Sequence, residues 1–327
     1  MAARFEGQEL VSIYFGGGTP SLWEPSCLAA LVVKCCAYFE ANANNIEVSI
    51  ECNPKDCEAT RFDAWHSLGI NRVLVGVQAT NEQDLVTLGR DHRMGDGLTG
   101  LRRTLAAGFE SVGADVILGV PGRGASLASL VDVVEAQPPH ISAYELTIEE
   151  RTRFGRRVKE GDLICEDEDT LAQAYEACHE YLSSQGYEHY EVSSYAKPGH
   201  RSVHNSLYWR GDGYLGLGNG AASLLCHGDG SAQRWQNRRS PKRYLAAEAE
   251  AHVETLEPID RREFAREKLW LAMRTSDGAA KEAFEGQELA LEFLLQNGLL
   301  IQQEERISPT LRGFLYNNQL ITKLGLS

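Results

Sequence analysis

Hydrophobic and polar positions follow two alternating periods in the first half of the chain. Short β-rich runs are followed by stretches of about ten residues with helical spacing, and this unit recurs five times. The predicted strands are Val11–Phe15, Ile46–Glu51, Val73–Gln78, Ser111–Leu118 and His140–Leu146. The predicted helices are Cys27–Phe39, Thr60–Leu68, Asn81–Gly89, Gly97–Ala107 and Leu127–Ala136. This alternation is typical of parallel β/α units, in part of a TIM-like barrel or in an open doubly wound sheet.

Polar or glycine residues stand where each predicted strand ends. They are Gly16 to Thr19, Glu51, Gln78, Asp115 and Glu145. Parallel α/β folds carry their sites at the carboxyl ends of strands, so the set indicates a site. The three glycines alone fit either a tight turn or a loop whose main-chain N–H groups approach a ligand. The dinucleotide and phosphate-loop motifs are excluded, because Ser21 replaces a required Gly or Ala and no Gly-Lys-Ser/Thr follows.

The second half of the chain has a different pattern. Asp167–Leu182 predicts a helix, Tyr190–Tyr195 predicts a strand, and residues 247–327 are mainly helical. Between them lies a dense stretch, His204-Asn-Ser-Leu-Tyr-Trp209. The basic run Arg234–Arg243 is either a solvated face or a partner for an anionic ligand.

Composition and charge narrow the class of protein. The 327 residues are 43% hydrophobic and 24% charged, which is ordinary for a globular protein. A net charge of −14 argues against nonspecific binding of nucleic acid or anionic membranes. No apolar run approaches the roughly 20 residues of a spanning helix, and the N-terminus has no signal-peptide core. We therefore expect a cytoplasmic location.

The eight cysteines are scattered and sparse, which favours reduced thiols over a disulfide scaffold. Cys52 and Cys57 have the first spacing of a plant-type ferredoxin motif, but the third cysteine would fall at Thr60. We therefore expect most of these thiols to be small buried apolar side chains.

The ordered motifs resemble one family over nearly the whole chain. They are Gly-Gly-Gly-Thr-Pro-Ser-Leu, the strand ending in Glu51, Val-Gly-Val-Gln78, Leu-Gly-Arg90-Asp-His, Ala-Asp115-Val-Ile-Leu-Gly-Val-Pro-Gly and His140-Ile-Ser-Ala-Tyr-Glu-Leu. This set resembles the oxygen-independent coproporphyrinogen dehydrogenase-like branch of the radical SAM enzymes. His204-Asn205-x-x-Tyr208-Trp209 is similar to the mark of the HemW-type haem chaperones within it.

The resemblance implies an S-adenosylmethionine (SAM) pocket. Gly17, Gly18 and Thr19 would meet the amino acid end of SAM, because bare backbone can approach a zwitterion closely. Glu51 would bind the ribose hydroxyls or the ammonium, and Asp115 would complete the polar lining. Gln78 and Arg90 would line the same pocket, and Arg90 is suited to the methionine carboxylate.

The resemblance also implies haem contact by four residues. His204 is the candidate axial ligand of the haem iron, since neutral imidazole is the usual proximal donor. Asn205 would hold its ring, and Tyr208 and Trp209 would supply flat apolar surface to the macrocycle. The alternative is a His-Asn pair that ties down a loop beside two core aromatics.

One motif of the family has no counterpart in the chain. Radical SAM enzymes hold a 4Fe-4S cluster with Cys-x-x-x-Cys-x-x-Cys after their first strand, and the 327 residues contain no such triplet. Two explanations remain open: the natural protein starts upstream of Met1, or its lineage lost the loop. We favour the first because the residues of the SAM pocket are intact, and we expect this chain alone not to cleave SAM reductively.

The sequence therefore predicts the fold class, the domains and the function of the protein. Its fold class is α/β, a partial TIM-like radical SAM barrel (1–180) whose first strand is missing. An extension (181–246) and a mainly helical C-terminal domain (247–327) follow. We expect a haem-binding chaperone that serves an apo-haemoprotein, binds no nucleic acid and is open to homodimerisation. The alternatives are an oxygen-independent coproporphyrinogen III dehydrogenase and a degenerate homologue that binds neither ligand.

Overall fold

The computed structural model describes residues 2–148 and 153–326, in two compact units. The barrel unit is Leu10–Arg201, and the C-terminal unit joins the described residues of Met1–Glu9 to those of Ser202–Ser327. The predicted boundaries at residues 180 and 246 do not coincide with this division. Residues 181–201 belong to the barrel unit because their two strands extend its sheet.

Seven strands form the sheet of the barrel unit. They are β1 (Ser12–Phe15), β2 (Glu47–Cys52), β3 (Arg72–Gln78), β4 (Ser111–Leu118), β5 (His140–Glu145), β6 (Glu188–Glu191) and β7 (Ser194–Ala196). Their order is β1-β2-β3-β4-β5-β7-β6, and the first five are parallel. This sheet curls into a half-barrel, which confirms the predicted α/β fold class.

Helices connect the parallel strands, as the sequence predicts. They are α1 (Pro25–Tyr38), α2 (Ala59–Ser67), α3 (Glu82–Thr87), α4 (Asp96–Ala106) and α5 (Ala128–Glu135). Two more helices, α6 (Arg153–Lys159) and α7 (Glu168–Ser184), come between β5 and β6. Local chemistry fixes several ends: Pro25 is the first residue of α1, and the Asn81 side chain caps α3 by accepting from the Asp84 backbone N–H.

The predicted strand Tyr190–Tyr195 is wrong in one respect. The segment folds back at Val192 and Ser193, so β6 and β7 form an antiparallel pair instead of one strand. The strand β7 also pairs antiparallel with β5, with His140 opposite Ala196. The sheet therefore ends in a hairpin and not in a sixth parallel β/α unit.

The two faces of the sheet carry different side chains, because successive residues of a strand point to opposite faces. Alternate positions of β2 and β3 belong to the hydrophobic core with the helices: Val48, Ile50, Cys52, Val73, Val75 and Val77. The intervening positions are mainly polar: Glu47, Ser49, Glu51, Arg72 and Gln78, with Leu74 and Gly76 between them. The apolar face holds the helices, and the polar face is free to line a site.

The C-terminal unit contains helices and small antiparallel sheets. Its helices are α8 (Val203–Trp209), α9 (Pro241–Leu245), α10 (Arg261–Ala272), α11 (Glu288–Gln296), α12 (Leu311–Leu315) and α13 (Asn317–Lys323). Its strands are β8 (Ala222–Cys226), β9 (Ala232–Asn237), β10 (Val253–Ile259), β11 (Ala279–Ala280), β12 (Leu300–Gln303) and β13 (Arg306–Pro309). They form two three-stranded sheets, β10-β9-β8 and β11-β13-β12.

Arg234 of the basic run is paired within this unit, since it lies 3.4 Å from Glu257 and also contacts Glu267.

Among the described residues, no helix combines the length and apolar composition needed to cross a bilayer.

Candidate functional site

The glycine turn after β1 is bound to the end of β2 through one carboxylate. The backbone N–H of Gly17 donates to Oε2 of Glu51 at 3.1 Å, and the hydroxyl of Tyr14 donates to Oε1 at 2.7 Å. Burial, followed by the Glu51 charge, raises the pKa of Tyr14, so its hydroxyl stays protonated and remains a donor. Glu51 therefore joins the first two strand ends.

Glycine is required at this turn for two different reasons. A Cβ at Gly16 would lie 2.4 Å from Cε1 of Tyr14 and 2.9 Å from Oε1 of Glu51, so the space is already filled. Gly17 and Gly18 have φ of 76° and 64°, in the left-handed region that side chains rarely adopt. Nothing lies within 4 Å of a Cβ built at either position, so the backbone here faces open space that a ligand can approach.

Asp115, near the end of β4, is the most perturbed carboxyl of the group. Burial and the nearby Glu51 charge raise its pKa to about 6, against a hydrogen bond from Ser142, its register partner on β5. The Oδ1 atom of Asp115 is buried and accepts no hydrogen bond from the described residues. A buried acceptor without a donor is uncommon in a folded protein and is expected where a ligand supplies that donor.

Arg90 follows α3 and provides the positive charge of this group. Partial burial lowers the pKa of its guanidinium, whereas the charges of Asp115 and Asp91 oppose that change. The neighbouring Asp91 lies 3.5 Å from Lys55 and accepts from the Asn53 side chain at 3.4 Å. The segment that carries Arg90 is therefore tied to the loop after β2.

Gln78 ends β3 in a strained backbone conformation. Its φ is 66°, which non-glycine residues rarely adopt, and the β3–β4 register shifts between Val75 and Gln78. The side chain is buried, at 8% exposure. Strain of this kind costs on the order of 1–3 kcal/mol and is concentrated at functional sites.

The structure brings some of the predicted SAM residues together more clearly than others. Glu51 contacts the turn at Gly17, and Asp115 interacts electrostatically with both Glu51 and Arg90. The Thr19 side chain makes no capping hydrogen bond to the short helix that follows it, and Gln78 is buried at the end of β3. The binding roles of all seven residues stay predictions.

Three further residues belong to the group and were not predicted from the sequence. Tyr14, Ser142 and Tyr144 lie beside Glu51 or Asp115, and burial and the Asp115 charge raise the pKa of Tyr144. The signal was available, because His140, Ser142 and Tyr144 occupy alternate polar positions of β5.

The predicted haem residues lie together on one short helix of the C-terminal unit. Ser202 caps α8 by accepting from the Asn205 backbone N–H at 3.2 Å. His204 and Tyr208 are one turn apart, with ring centroids 5.0 Å apart and nearly perpendicular planes. Tyr208 in turn packs edge-on against Tyr214 at 4.6 Å, and its side chain is 38% exposed.

Asn205 and Trp209 occupy the adjacent face of α8, again four residues apart. The indole Nε1 of Trp209 is buried and donates to no described residue. Helix α8 therefore carries a histidine beside a partly exposed aromatic pair, an arrangement suited to a flat apolar ligand with a metal at its centre.

The described residues do not supply a site for an iron–sulfur cluster. All eight cysteines are free thiols. Within the described ranges, no three or more His, Cys, Asp or Glu side chains converge in a way that would hold a metal ion.

Known proteins match this chain in both sequence and fold. The sequence model of the Radical SAM superfamily matches residues 1–131. Heme chaperone HemW of Haemophilus influenzae is 33% identical over an alignment of 327 positions, which covers 96% of this chain and 82% of that protein. Heme chaperone HemW of Mycobacterium tuberculosis is 34% identical over an alignment of 329 positions, which covers 99% of this chain and 83% of that protein. The chain belongs to the HemW family of radical SAM proteins.

Membership of the HemW family confirms the resemblance and supports a radical SAM function related to haem. HemW of Escherichia coli is 35% identical over 242 residues, 73% of this chain and 63% of that protein. The solved structure of coproporphyrinogen III oxidase (HemN) from Escherichia coli, a radical SAM enzyme, superposes with a TM-score of 0.79. It covers 99% of this chain and 79% of that one at 22% identity, which shows a shared fold.

Proposed function

We propose that the protein binds haem and delivers it to an apo-haemoprotein. The observation that carries this proposal is the His204–Tyr208–Tyr214 arrangement on and beside α8, in a chain whose relatives are named heme chaperones. The imidazole of His204 would hold the haem iron, and Tyr208 and Trp209 would pack on the macrocycle. Asn205, on the turn fixed by Ser202, would orient the ring.

We also propose that the barrel unit binds SAM at the ends of β1 to β4. Two observations support the fit: the buried Oδ1 of Asp115 lacks a donor among the described residues, and the backbone of Gly17 and Gly18 borders open space. Ribose hydroxyls or an ammonium would donate to Glu51 and Asp115, and the methionine carboxylate would pair with Arg90. SAM, when bound with a cluster, supplies radical chemistry in this family.

The chain's own residues would bind and orient that ligand. Thr19 would donate its hydroxyl beside the glycine turn, and Gln78 would add an amide to the lining. Asp115 has a pKa of about 6 and would ionise fully when a cationic or donor group approaches it. The cytoplasmic location, the absence of nucleic-acid partners and a homodimer stay predictions.

The haem proposal is tested by titrating haemin into the full chain while recording the Soret band. We expect saturable one-to-one binding to the wild-type protein and its loss in His204→Ala. The matched control is His227→Ala, because His227 is an exposed histidine of the same unit outside α8. A His204→Ala protein that binds haemin with wild-type affinity and spectrum would overturn the assignment.

Two alternatives are distinguished by further outcomes. Saturable haemin binding that no apo-haemoprotein acceptor can remove would contradict delivery, and no binding at all would indicate a degenerate homologue. Anaerobic turnover of coproporphyrinogen III by a reconstituted, N-terminally extended chain would instead favour the dehydrogenase. At present the dehydrogenase is supported by a shared fold alone.

A further inference from the structure

Cys52 and Cys57 bring their thiols into contact. Their Sγ atoms are 3.3 Å apart, and the residues are 3% and 0% exposed. Cys52 ends β2, and a single turn, Pro54–Asp56, brings Cys57 back against it. A disulfide bond measures about 2.05 Å, so the sulfurs need to approach by only about 1.3 Å.

The surroundings make the two sulfurs unlike each other. Hydrogen bonds from Cys52 and from Thr104, together with the Arg103 charge on α4, lower the pKa of Cys57 against the effect of burial. The hydrogen bond with Cys57, together with burial, raises the pKa of Cys52. By contrast, burial raises the pKa of the lone buried Cys178 to about 12. The two thiols of the pair are in direct hydrogen-bond contact, and either one can be the donor.

The turn between the two cysteines contacts three parts of the candidate SAM pocket. Glu51 directly precedes Cys52, and the Asn53 backbone N–H donates at 3.2 Å to Ser21, just after the glycine turn. Asn53 and Lys55 both contact Asp91, the residue after Arg90. A change in this turn is therefore transmitted to Glu51, the glycine turn and Arg90.

We propose that Cys52 and Cys57 form a redox-active dithiol, which hydroperoxides oxidise to an intramolecular disulfide. The Cys57 thiolate attacks one peroxide oxygen, the O–O bond breaks, and the hydroxide that leaves takes a proton to become water. Cys52 then attacks the Cys57 sulfur, the S–O bond breaks, and the departing hydroxide takes the Cys52 proton. Two thiols and one hydrogen peroxide give one disulfide and two waters, and an external dithiol reverses the change.

Closure of this bond tightens the turn and draws Glu51 and Asn53 away from their present partners. This consequence rests on the proposed SAM pocket, whereas the dithiol itself does not. The oxidised protein is expected to lose SAM affinity and to regain it on reduction. The disulfide would thus make SAM binding at the strand ends depend on the presence of peroxide.

Mass spectrometry tests the dithiol on the full chain. The protein is treated with hydrogen peroxide, its remaining thiols are alkylated in denaturant, and it is digested with trypsin. Cleavage after Lys55 separates the two cysteines, so the disulfide appears as a link between the peptides Cys35–Lys55 and Asp56–Arg61. Tandem spectra must assign the linked sulfur to Cys52, because Cys35 and Cys36 share its peptide.

We expect the link after peroxide and its loss after dithiothreitol, while Cys178 stays free for alkylation. Cys178→Ala should keep the link, and Cys57→Ala should abolish it; if Cys57→Ala does not fold, the wild-type experiment decides alone. Free alkylation of both cysteines after peroxide, or a link from Cys35 or Cys36, would overturn the proposal. If the link forms as expected but the reduced wild-type protein binds no SAM in calorimetry, the dithiol is supported and the pocket is rejected; equal SAM affinity before and after oxidation would reject the link between the two.

Discussion

The hydroxyl of Tyr14 offers a sharp test of the proposed pocket, because it donates to a carboxylate that also binds the glycine turn. The O–H···O distance to Glu51 is 2.7 Å, typical of a strong bond to a charged acceptor. Such bonds contribute about 1.5–3 kcal/mol, and we take about 1.5 kcal/mol because both side chains are only partly buried. Tyr14→Phe removes the hydroxyl and leaves the ring in place.

We expect Tyr14→Phe to lower the free energy of unfolding by about 1.5 kcal/mol. For a unit of this size that corresponds to a decrease in Tm of about 3–6 °C, measured by circular dichroism. SAM affinity, measured by calorimetry, should fall about tenfold, because Glu51 loses one of the two bonds that orient it. The matched control is Tyr187→Phe, whose hydroxyl donates to the neutral carbonyl of Pro138 at 2.6 Å.

Tyr187→Phe should cost about 1 kcal/mol of stability and leave SAM affinity unchanged. A double-mutant cycle with Glu51→Gln should give a coupling energy of about 1 kcal/mol or more between Tyr14 and Glu51. The reasoning is refuted if the two substitutions are additive within about 0.5 kcal/mol, or if Tyr187→Phe weakens SAM binding equally.

Three other predictions follow from single contacts. Gly16→Ala puts a methyl group 2.4 Å from the Tyr14 ring, so SAM affinity in calorimetry should fall more than about tenfold; unchanged affinity would contradict the tight turn. Burial lowers the pKa of His189 to about 4, so the unfolded chain binds more protons between about pH 6.5 and 4. The free energy of unfolding should therefore be highest above that range and about 1 kcal/mol lower at pH 5.5, and His189→Asn should lose less. Equal urea midpoints of the wild-type protein at pH 7.5 and pH 5.5 would contradict this prediction. Ser202→Ala removes the cap that binds the Asn205 N–H at 3.2 Å, should lower stability by about 1 kcal/mol, and should weaken haemin binding in the Soret titration.

The parallel part of the fold was predictable because its signals are local. All five parallel strands lie within one residue of their predicted ends at each terminus. The β6–β7 hairpin was missed because its turn contains no Gly, Pro or Asn, and Ser193, a weaker turn former, follows the β-branched Val192. Its pairing with β5 is a tertiary interaction, which a pattern along the chain does not contain.

The candidate site was predictable as a set of strand ends but not as a network. Nothing in the spacing indicates that Tyr14 would bind Glu51, since the two lie on different strands. The same limit applies to the cysteine pair. The spacing of Cys52 and Cys57 excludes a ferredoxin motif but predicts no contact, because the contact arises from one turn after β2.

The two ends of the parallel sheet carry different arrangements of charge. At the N-terminal ends, Arg72 is 2% exposed, lies 3.7 Å from Glu47 and donates to Ser111 at 3.0 Å, so opposite charges compensate each other. At the C-terminal ends, burial and the nearby Glu51 charge raise the pKa of Asp115 to about 6, against the Ser142 hydrogen bond and the Arg90 charge. Folding alone would not favour like charges in a buried position, because each raises the desolvation cost of the other. A ligand that supplies donors to this group would offset that cost, which is why we place the proposed binding at the C-terminal ends of the strands.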